Sequence, residues 1–403
     1  MPVRDRHVFT LEASPVRLST FLYVHSDSRH VRIHGLRFIN GIRELGFTPH
    51  VAAPPGPDLD QVEAAGFSVH GIPLSTHNQR PFQEFETLVA LMRLYRGLSP
   101  ELVHNESLKP VAYGGICARL TKVPAVVNSF TGLGHVFGSR GRVADVRRSL
   151  VMRLLRIALA HPNQRTLVQN PDDGDFLVRA RLVPDERMGL IKGSGVDCSL
   201  FVPSPEPSGV PQIVLASRML WEKGVVDFVE AARIVRSNGV RARFVLVGNT
   251  DERHPGAIPS TELEAWSASG VVEWRRGVSW EEMPAILAAS HVVCLPSRYP
   301  EGVPMALIEA AASGRPIVTT DSRGCREIVR DGENGFVVPI GDVRALAAAV
   351  ERLVVDPGLR ARMGERGRQL AVAEFSVERV VADTLSVHRR VLADRPRLSR
   401  PSD

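Results

Sequence analysis

Short apolar, β-branched runs alternate with helix-period segments along nearly the whole chain. In the first half the runs are Leu18–Val24, Pro49–Ala53, Glu101–His104, Ala125–Asn128 and Arg165–Gln169. In the second they are Gln212–Ala216, Arg243–Val247, Val271–Trp274, His291–Leu295, Pro316–Thr319 and Gly335–Val338. Strands that are apolar on both sides and separated by helices predict parallel sheets covered on both faces, an α/β architecture in each half. The segment Trp221–Arg236 illustrates the pattern: Val225, Phe228, Val229, Ala232 and Val235 recur at helical spacing directly after the run Gln212–Ala216. Between the halves, Pro203, Pro205, Pro207, Gly209 and Pro211 crowd Phe201–Pro211, which can hold neither a helix nor an interior strand. This predicts a first domain over 15–200, a hinge, and a second domain over 211–375. Three helices close the chain, Val343–Val354, Gly358–Ala373 and Val377–Leu392, divided at Asp356-Pro357 and Phe375-Ser376, with Ser376 placed to cap the last. No strand remains for them to cover, so the last, 376–393, is expected to cross back onto the first domain, and the tail 394–403 to be disordered.

Composition narrows this picture. At 403 residues, 44% apolar and 23% charged, the chain suits two folded domains, each large enough to bury a core without a structural metal. Cys117, Cys198, Cys294 and Cys325 are too scattered for a zinc pattern and imply a reducing compartment. The charged N-terminus and the lack of any spanning apolar stretch predict a cytoplasmic protein. The net charge of +6 suits phosphate-bearing ligands or an anionic membrane surface. Nucleic acid is disfavoured, because zinc-finger spacing, a basic tail and an aromatic RNA-binding pattern are all missing. In Gly138–Ala160, Arg140, Arg142, Arg147, Arg148, Arg153 and Arg156 interleave with apolar positions. Two readings stand side by side here: a helix lying on the inner face of the cell membrane, or an ordinary helix with its arginines in water.

The chemistry concentrates in Arg298-Tyr-Pro-Glu301-Gly302-Val303-Pro304-Met-Ala-Leu-Ile-Glu309. It follows the strand His291–Leu295, and open α/β sheets bind ligands beyond the carboxyl ends of their strands. Gly302 permits close backbone approach, and Pro304 opens a helix whose first N–H groups and dipole favour phosphate or sugar hydroxyls. Glu301 on the loop and Glu309 about two turns into the helix can face one pocket. A solvated surface role is the ordinary fate of helical glutamates. Leu307, Ile308, Ala310, Ala311 and Ala312 leave Glu309 almost no polar face, so it should have a partner or a ligand. In Ala216-Ser-Arg218-Met-Leu-Trp-Glu-Lys223-Gly224, a guanidinium and an ammonium share one loop after a strand, which favours a diphosphate over surface solubility.

These segments, Arg218, Lys223-Gly224, Glu301-Gly-x-Pro, Glu309 through Pro316, Glu327-Ile-Val and Gly332-Glu-Asn-Gly335, resemble the donor domain of the GT-B fold retaining glycosyltransferases of family four. The resemblance runs from Gln212 to about Thr384 and implies two Rossmann-like domains facing across a cleft. It further implies that Arg218 and Lys223 grip a nucleotide diphosphate, that Glu301 with the backbone of Gly302, Val303 and Pro304 holds sugar hydroxyls and phosphate, and that Glu309 binds the ribose. No metal or cofactor is then needed, the nucleotide sugar being a substrate. Asn105–Pro110, Tyr113-Gly-Gly115, Val126-Val-Asn128 and Thr131-Gly-Leu-Gly134 resemble a subgroup that adds hexoses or N-acetylhexosamines to undecaprenyl-diphosphate-linked sugars. His25, Asp27, Lys109, Ser129, Thr131, Gly132 and Gly134 are the acceptor-side candidates. Ser129 and Thr131 stand where many members carry a His, and the first loop reads His25-Ser-Asp27-Ser-Arg29 in place of a glycine-rich one.

Other signals weigh less. Gly132-x-Gly134 does not continue as a dinucleotide fingerprint, which argues against a nicotinamide enzyme. Asp58-Leu-Asp60 lies in a proline-rich turn, and Asp172 or Asp173 is expected to cap a helix near Gly174 rather than bind metal. The alternatives to a polysaccharide-building transferase are a nucleotide-sugar epimerase or hydrolase of the same fold, and a transferase with a small soluble acceptor.

Overall fold

A computed structural model describes residues 19–74, 81–133, 141–252 and 254–394. The first sheet contains β1 (Ser19–His25), β2 (Phe47–Ala53), β3 (Ser68–Gly71), β4 (Leu102–Glu106), β5 (Ala125–Phe130), β6 (Gln164–Val168) and β7 (Met188–Leu190), in the order β3-β2-β1-β4-β5-β6-β7. The second contains β8 (Gln212–Ala216), β9 (Arg243–Val247), β10 (Glu273–Arg275), β11 (Val292–Leu295), β12 (Ile317–Thr320) and β13 (Gly335–Val338), in the order β10-β9-β8-β11-β12-β13. Every pairing in both is parallel.

Alternation along single strands explains the layered cores. Ile213 and Leu215 of β8 face one apolar cluster while Val214 and Ala216 face another, and Phe21 and Tyr23 of β1 are likewise separated from Leu22 and Val24. The predicted strands recur with their ends moved by a few residues. The sequence reading did not include β3 and β7, short edge strands whose half-exposed residues form no apolar run. The helix read as Trp221–Arg236 is a short 3-10 turn, Trp221–Lys223, followed by a helix over Val225–Ser237. Gly224 separates the two at φ 71°, a left-handed conformation that glycine adopts without strain.

Two chain crossings join the lobes side by side, with Val196 N donating to Phe375 O at 2.9 Å and Val377 N to Val196 O at 2.9 Å. The proline-rich Phe201–Pro211 is tied to the second lobe: Arg368 donates to Phe201 O at 2.7 Å and Arg315 to Ser204 Oγ at 2.7 Å. Of the three C-terminal helices, Val343–Val355 packs on Val225–Ser237 and Pro357–Glu374 on the helix Met305–Ala312. Only Val377–Ala393 crosses back. Its Leu385 fills the space that a Cβ on Gly41 would need, 2.7 Å away, and Ser376 caps it by accepting from Arg379 N at 3.4 Å. Asp394 pairs with Arg165 at 2.5 Å, while 395–403 lie outside the described residues.

Candidate functional site

Each sheet has one place where strand order reverses, between β1 and β4 in the first and between β8 and β11 in the second. Ligand crevices form beyond the carboxyl ends of strands at such points. In the second lobe they are flanked by the two loops singled out from sequence. The loops are zipped together: Arg298 N donates to Glu222 O at 2.8 Å, and a Cβ on Gly224 would lie 1.9 Å from Pro296 O. Their closeness puts Lys223 Nζ 2.6 Å from Glu301 Oε1, with the side chains 15% and 9% exposed. Ser297 Oγ–H donates to the same oxygen at 2.8 Å. Glu301, read as a sugar-hydroxyl ligand, is thus also the counter-ion of Lys223. The ammonium has two further N–H groups for an anion, and Arg218 stands exposed on the same loop.

Glu309 is 4% exposed on the helix Met305–Ala312, and its Oε1 accepts from Trp280 Nε1–H at 2.9 Å. Burial pushes its carboxyl up to about 7, against the pull of that N–H. Gly302 does permit close approach, and here the neighbour is the first lobe. A Cβ at this position would be 2.2 Å from Thr131 O and 2.3 Å from Gln169 Oε1, and a Cβ on Gly132 would be 2.8 Å from Gly302 N. Gln169 Oε1 accepts from Val303 N at 2.9 Å and Asn170 Nδ2 donates to Glu301 O at 3.3 Å. Pro304 forms the N-cap of the helix.

At the switch point of the first lobe, β-pairing sets His25 beside Glu106 and Glu106 beside Ser129. Tyr23 Oη–H donates to Glu106 Oε2 at 2.6 Å, and His30 Nε2 lies 3.6 Å from Glu106 Oε1. Burial alone would raise the Glu106 carboxyl, but the His30 bond and the charges of His25 and His30 hold it well below the usual range. Against the effect of burial, Glu106 raises His30. His25 is lowered to about 4 by burial and by His30, and His34 to about 3 by the same two causes. The three imidazoles lie in a row, His25 and His30 stacked at 4.6 Å and His34 tilted by 51° against His30 at 5.0 Å, on a chain that takes a π-helical turn over Val31–Gly35. Such turns are rare and are frequent at functional sites. A cavity of about 50 Å³, lined in part by His30, Glu106, Ser129, Gln169 and Ser194, adjoins this cluster. That is room for a few waters or the hydroxyl-bearing edge of a ligand.

His25, His30 and Glu106 are the group among the described residues that could approach a metal, their ligand atoms lying within 4.8 Å. His25 Nδ1 accepts Asp27 N–H at 2.9 Å, which assigns the ring proton to Nε2, a buried nitrogen with no hydrogen-bond partner among the described residues. Neither nitrogen then offers a free lone pair, so the set suits hydrogen bonding better than ligation.

The remaining acceptor-side candidates separate. Asp27 caps a short helix, accepting from Arg29 N at 2.9 Å. Lys109 pairs with Glu84 at 2.6 Å and does not line the cavity. Gly134 lies outside the described residues. The cap expected from Asp172 or Asp173 is supplied instead by Asn170, whose side chain accepts from Asp173 N at 2.9 Å; this frees Asp172 and Asp173 to pair across the cleft with Arg326 at 2.8 Å and Arg323 at 3.3 Å. Sequence reasoning missed Glu106, His30, His34, Gln169 and Trp280. Glu106 lies inside the quoted Asn105–Pro110, His30 directly follows the quoted loop His25–Arg29 and Gln169 ends a predicted strand, but none was singled out as a site residue.

Comparison with known proteins agrees with this geometry. Residues 199–370 match the family "Glycosyl transferases group 1" and residues 21–164 match "Glycosyl transferase 4-like". The chain is 24% identical over 355 residues to the N,N'-diacetylbacillosaminyl-diphospho-undecaprenol alpha-1,3-N-acetylgalactosaminyltransferase of Campylobacter jejuni, covering 85% of this chain and 91% of that one. It is 25% identical over 320 residues to the UDP-Gal:alpha-D-GlcNAc-diphosphoundecaprenol alpha-1,3-galactosyltransferase of Escherichia coli, covering 76% and 79%. In fold it resembles Anabaena HepE in complex with UDP-glucose, with TM-score 0.71, 17% identity and coverage of 91% and 99%. It also resembles the sucrose-phosphate synthase of Thermosynechococcus elongatus, with TM-score 0.76, 18% identity and coverage of 93% and 99%. With a match to the group 1 glycosyltransferases over the lobe that holds Lys223, Glu301 and Glu309, a glycosyltransferase 4-like match over the other, and the GT-B architecture, the chain is a glycosyltransferase.

Proposed function

We propose that the enzyme moves a hexose or N-acetylhexosamine from a nucleotide sugar, UDP-linked in the first instance, to a hydroxyl of a lipid-linked glycan precursor, with retention and without a metal. The observation that carries this reading is the pairing of two switch-point sites across one cleft: Arg218, Lys223, Glu301 and Glu309 on one side, and His25, His30, Glu106 and Ser129 on the other. The cations suit a diphosphate, Glu309 a ribose diol, and the buried carboxylate with imidazole and hydroxyl groups the hydroxyls of an acceptor sugar. The undecaprenol-diphosphate acceptors of the two bacterial relatives support a lipid-linked acceptor here.

In the mechanism, the acceptor oxygen bonds to the anomeric carbon on the face the diphosphate leaves. The carbon–oxygen bond to the diphosphate breaks, and a diphosphate oxygen takes the acceptor's proton. Arg218 and Lys223 stabilise the charge that develops, a role worth about 10²- to 10³-fold per group in comparable sites. Contact between the lobes at Gly302 keeps water from the sugar.

No described helix is long and apolar enough to cross a membrane. The helix Arg142–Leu159 buries Leu155, Ala158 and Leu159, yet Val146, Leu150 and Ile157 are 71%, 56% and 47% exposed. Helical spacing puts those three on one face with Arg153, and this supports a peripheral seat on an anionic membrane.

The function is tested by screening UDP-, GDP- and dTDP-sugars for protection against thermal unfolding, where a ligand at 100 times its Kd adds about 2.7 kcal/mol. The ligand that protects is then supplied with and without undecaprenyl-diphosphate-linked sugar, in buffer with and without EDTA. Transfer that needs the lipid acceptor and ignores EDTA is expected; turnover of the donor without any acceptor would favour the epimerase or hydrolase.

A further inference from the structure

Glu309 is a buried carboxylate among apolar neighbours, and its side-chain partner among the described residues is Trp280 Nε1–H. We propose that Trp280 is a positioning residue of the donor site: its indole N–H fixes the Glu309 carboxylate in the orientation that receives the vicinal diol of a nucleoside diphosphate's ribose. The inference rests on the donor-site reading above and adds a residue that reading does not use.

The chemistry of the pair favours this role. Indole is a donor only, and it is neutral. One N–H orients a carboxylate oxygen without saturating the group or cancelling its charge, so the remaining lone pairs stay available to two hydroxyls. An arginine in the same place would take a lone pair on each oxygen as a fork and neutralise the charge, so the diol would meet a weaker, already engaged acceptor. The cost of holding a carboxylate in an apolar setting with one partner is recovered only when further donors arrive.

The ring itself is held from two lobes. It meets His34 of the first lobe edge-on at 6.0 Å and 82°, and Phe201 of the connecting segment at 5.9 Å and 63°. The next residue, Glu281, pairs with Arg32 of the first lobe at 2.9 Å. Trp280 therefore reaches the bonding position when the lobes are together, which ties the shape of the ribose site to closure. Charged and titratable groups on the surrounding elements include Arg32, His34, Glu281, Glu282, Glu327 and Arg368; none bonds to Glu309 among the described residues, and burial and the indole are the two influences on its carboxyl.

The test compares full-length wild type, Trp280→Phe, Glu309→Gln and the double variant, with UDP, GDP and dTDP as separate calorimetric probes from pH 6 to 9 and with transfer kinetics. Phe keeps the ring contacts and deletes the N–H. Losing a hydrogen bond to a charged group predicts about tenfold weaker nucleotide binding and a donor KM raised by about the same factor, with kcat at saturating donor unchanged within about twofold. The rise of affinity with pH should move to higher pH in Trp280→Phe and flatten in Glu309→Gln, and Trp280→Phe should cost nothing more in the Glu309→Gln background. Wild-type affinity in Trp280→Phe, a fall in kcat at unchanged KM, or an undiminished loss in the double variant overturns the proposal. Wild type that binds none of the three nucleotides overturns the donor-site reading itself, and the proposal with it.

Discussion

Replacing Lys223 separates its two roles, as counter-ion and as phosphate ligand. Lys223→Met keeps most of the side-chain volume and removes the ammonium, leaving Glu301, 7% exposed, with the Ser297 hydroxyl as its side-chain partner at 2.8 Å. Breaking a buried pair by deleting one ion costs about 3–5 kcal/mol. Since the pair opens onto the cleft, the lower end applies. At about 2–4 °C per kcal/mol for a lobe of this size, the second lobe should melt roughly 6–12 °C earlier. Adding Glu301→Gln removes the stranded charge and should restore most of that loss, while transfer stays about 10²- to 10³-fold down because the diphosphate still lacks its cation. Thermal and urea unfolding together with initial transfer rates measure both quantities on the same preparations. Equal stability of the single and double variants would deny that the pair is buried and coupled. Transfer within about threefold of wild type in Lys223→Met would deny that the ammonium serves the leaving group.

Gly302→Ala places a Cβ 2.2 Å from Thr131 O, so the lobes should stay apart and transfer should fall by at least about tenfold, with a larger radius of gyration in X-ray scattering; an unchanged radius and rate would contradict the contact. Glu309, raised by burial from near 4.5 to about 7, holds a proton when folded that the unfolded chain gives up. Its contribution to stability is full below about pH 4.5 and is lost as pH rises through about 7, on the order of 3 kcal/mol in all. Glu309→Gln without nucleotide should thus gain on wild type between pH 5 and 8 in thermal unfolding, and a difference that stays flat refutes the shift. Val146→Glu with Leu150→Glu should abolish flotation with anionic vesicles at low salt while leaving transfer to a water-soluble acceptor analogue intact; salt-indifferent or undiminished flotation argues against that helix as the seat.

The lobes and the donor loops were legible because their signals are local. Five strands of the first sheet and six of the second are apolar runs bounded by breakers, and a loop such as Pro296–Pro304 must emerge at a strand's carboxyl end whatever the rest of the chain does. Glu309 could be flagged from its neighbours alone, because a carboxylate without a polar face needs a partner wherever its helix packs. The partner's identity was not local. Trp280 is 29 residues away in sequence, Gln169 is 134 from the Val303 amide it meets, and Glu106 and Tyr23 are 83 apart.

Lys109 and Asp27 show the converse, plausible ligands by type whose side chains fold onto Glu84 and a helix end. Sequence by itself determined most of the strands and which loops carry charge, because hydrophobic period and residue type act over a few positions. Only tertiary structure decided which charges meet, which carboxylate is buried and which glycine touches the other lobe. Desolvation and hydrogen-bond geometry depend on every element that closes around a group, and a site between two lobes is closed by segments far apart in the chain.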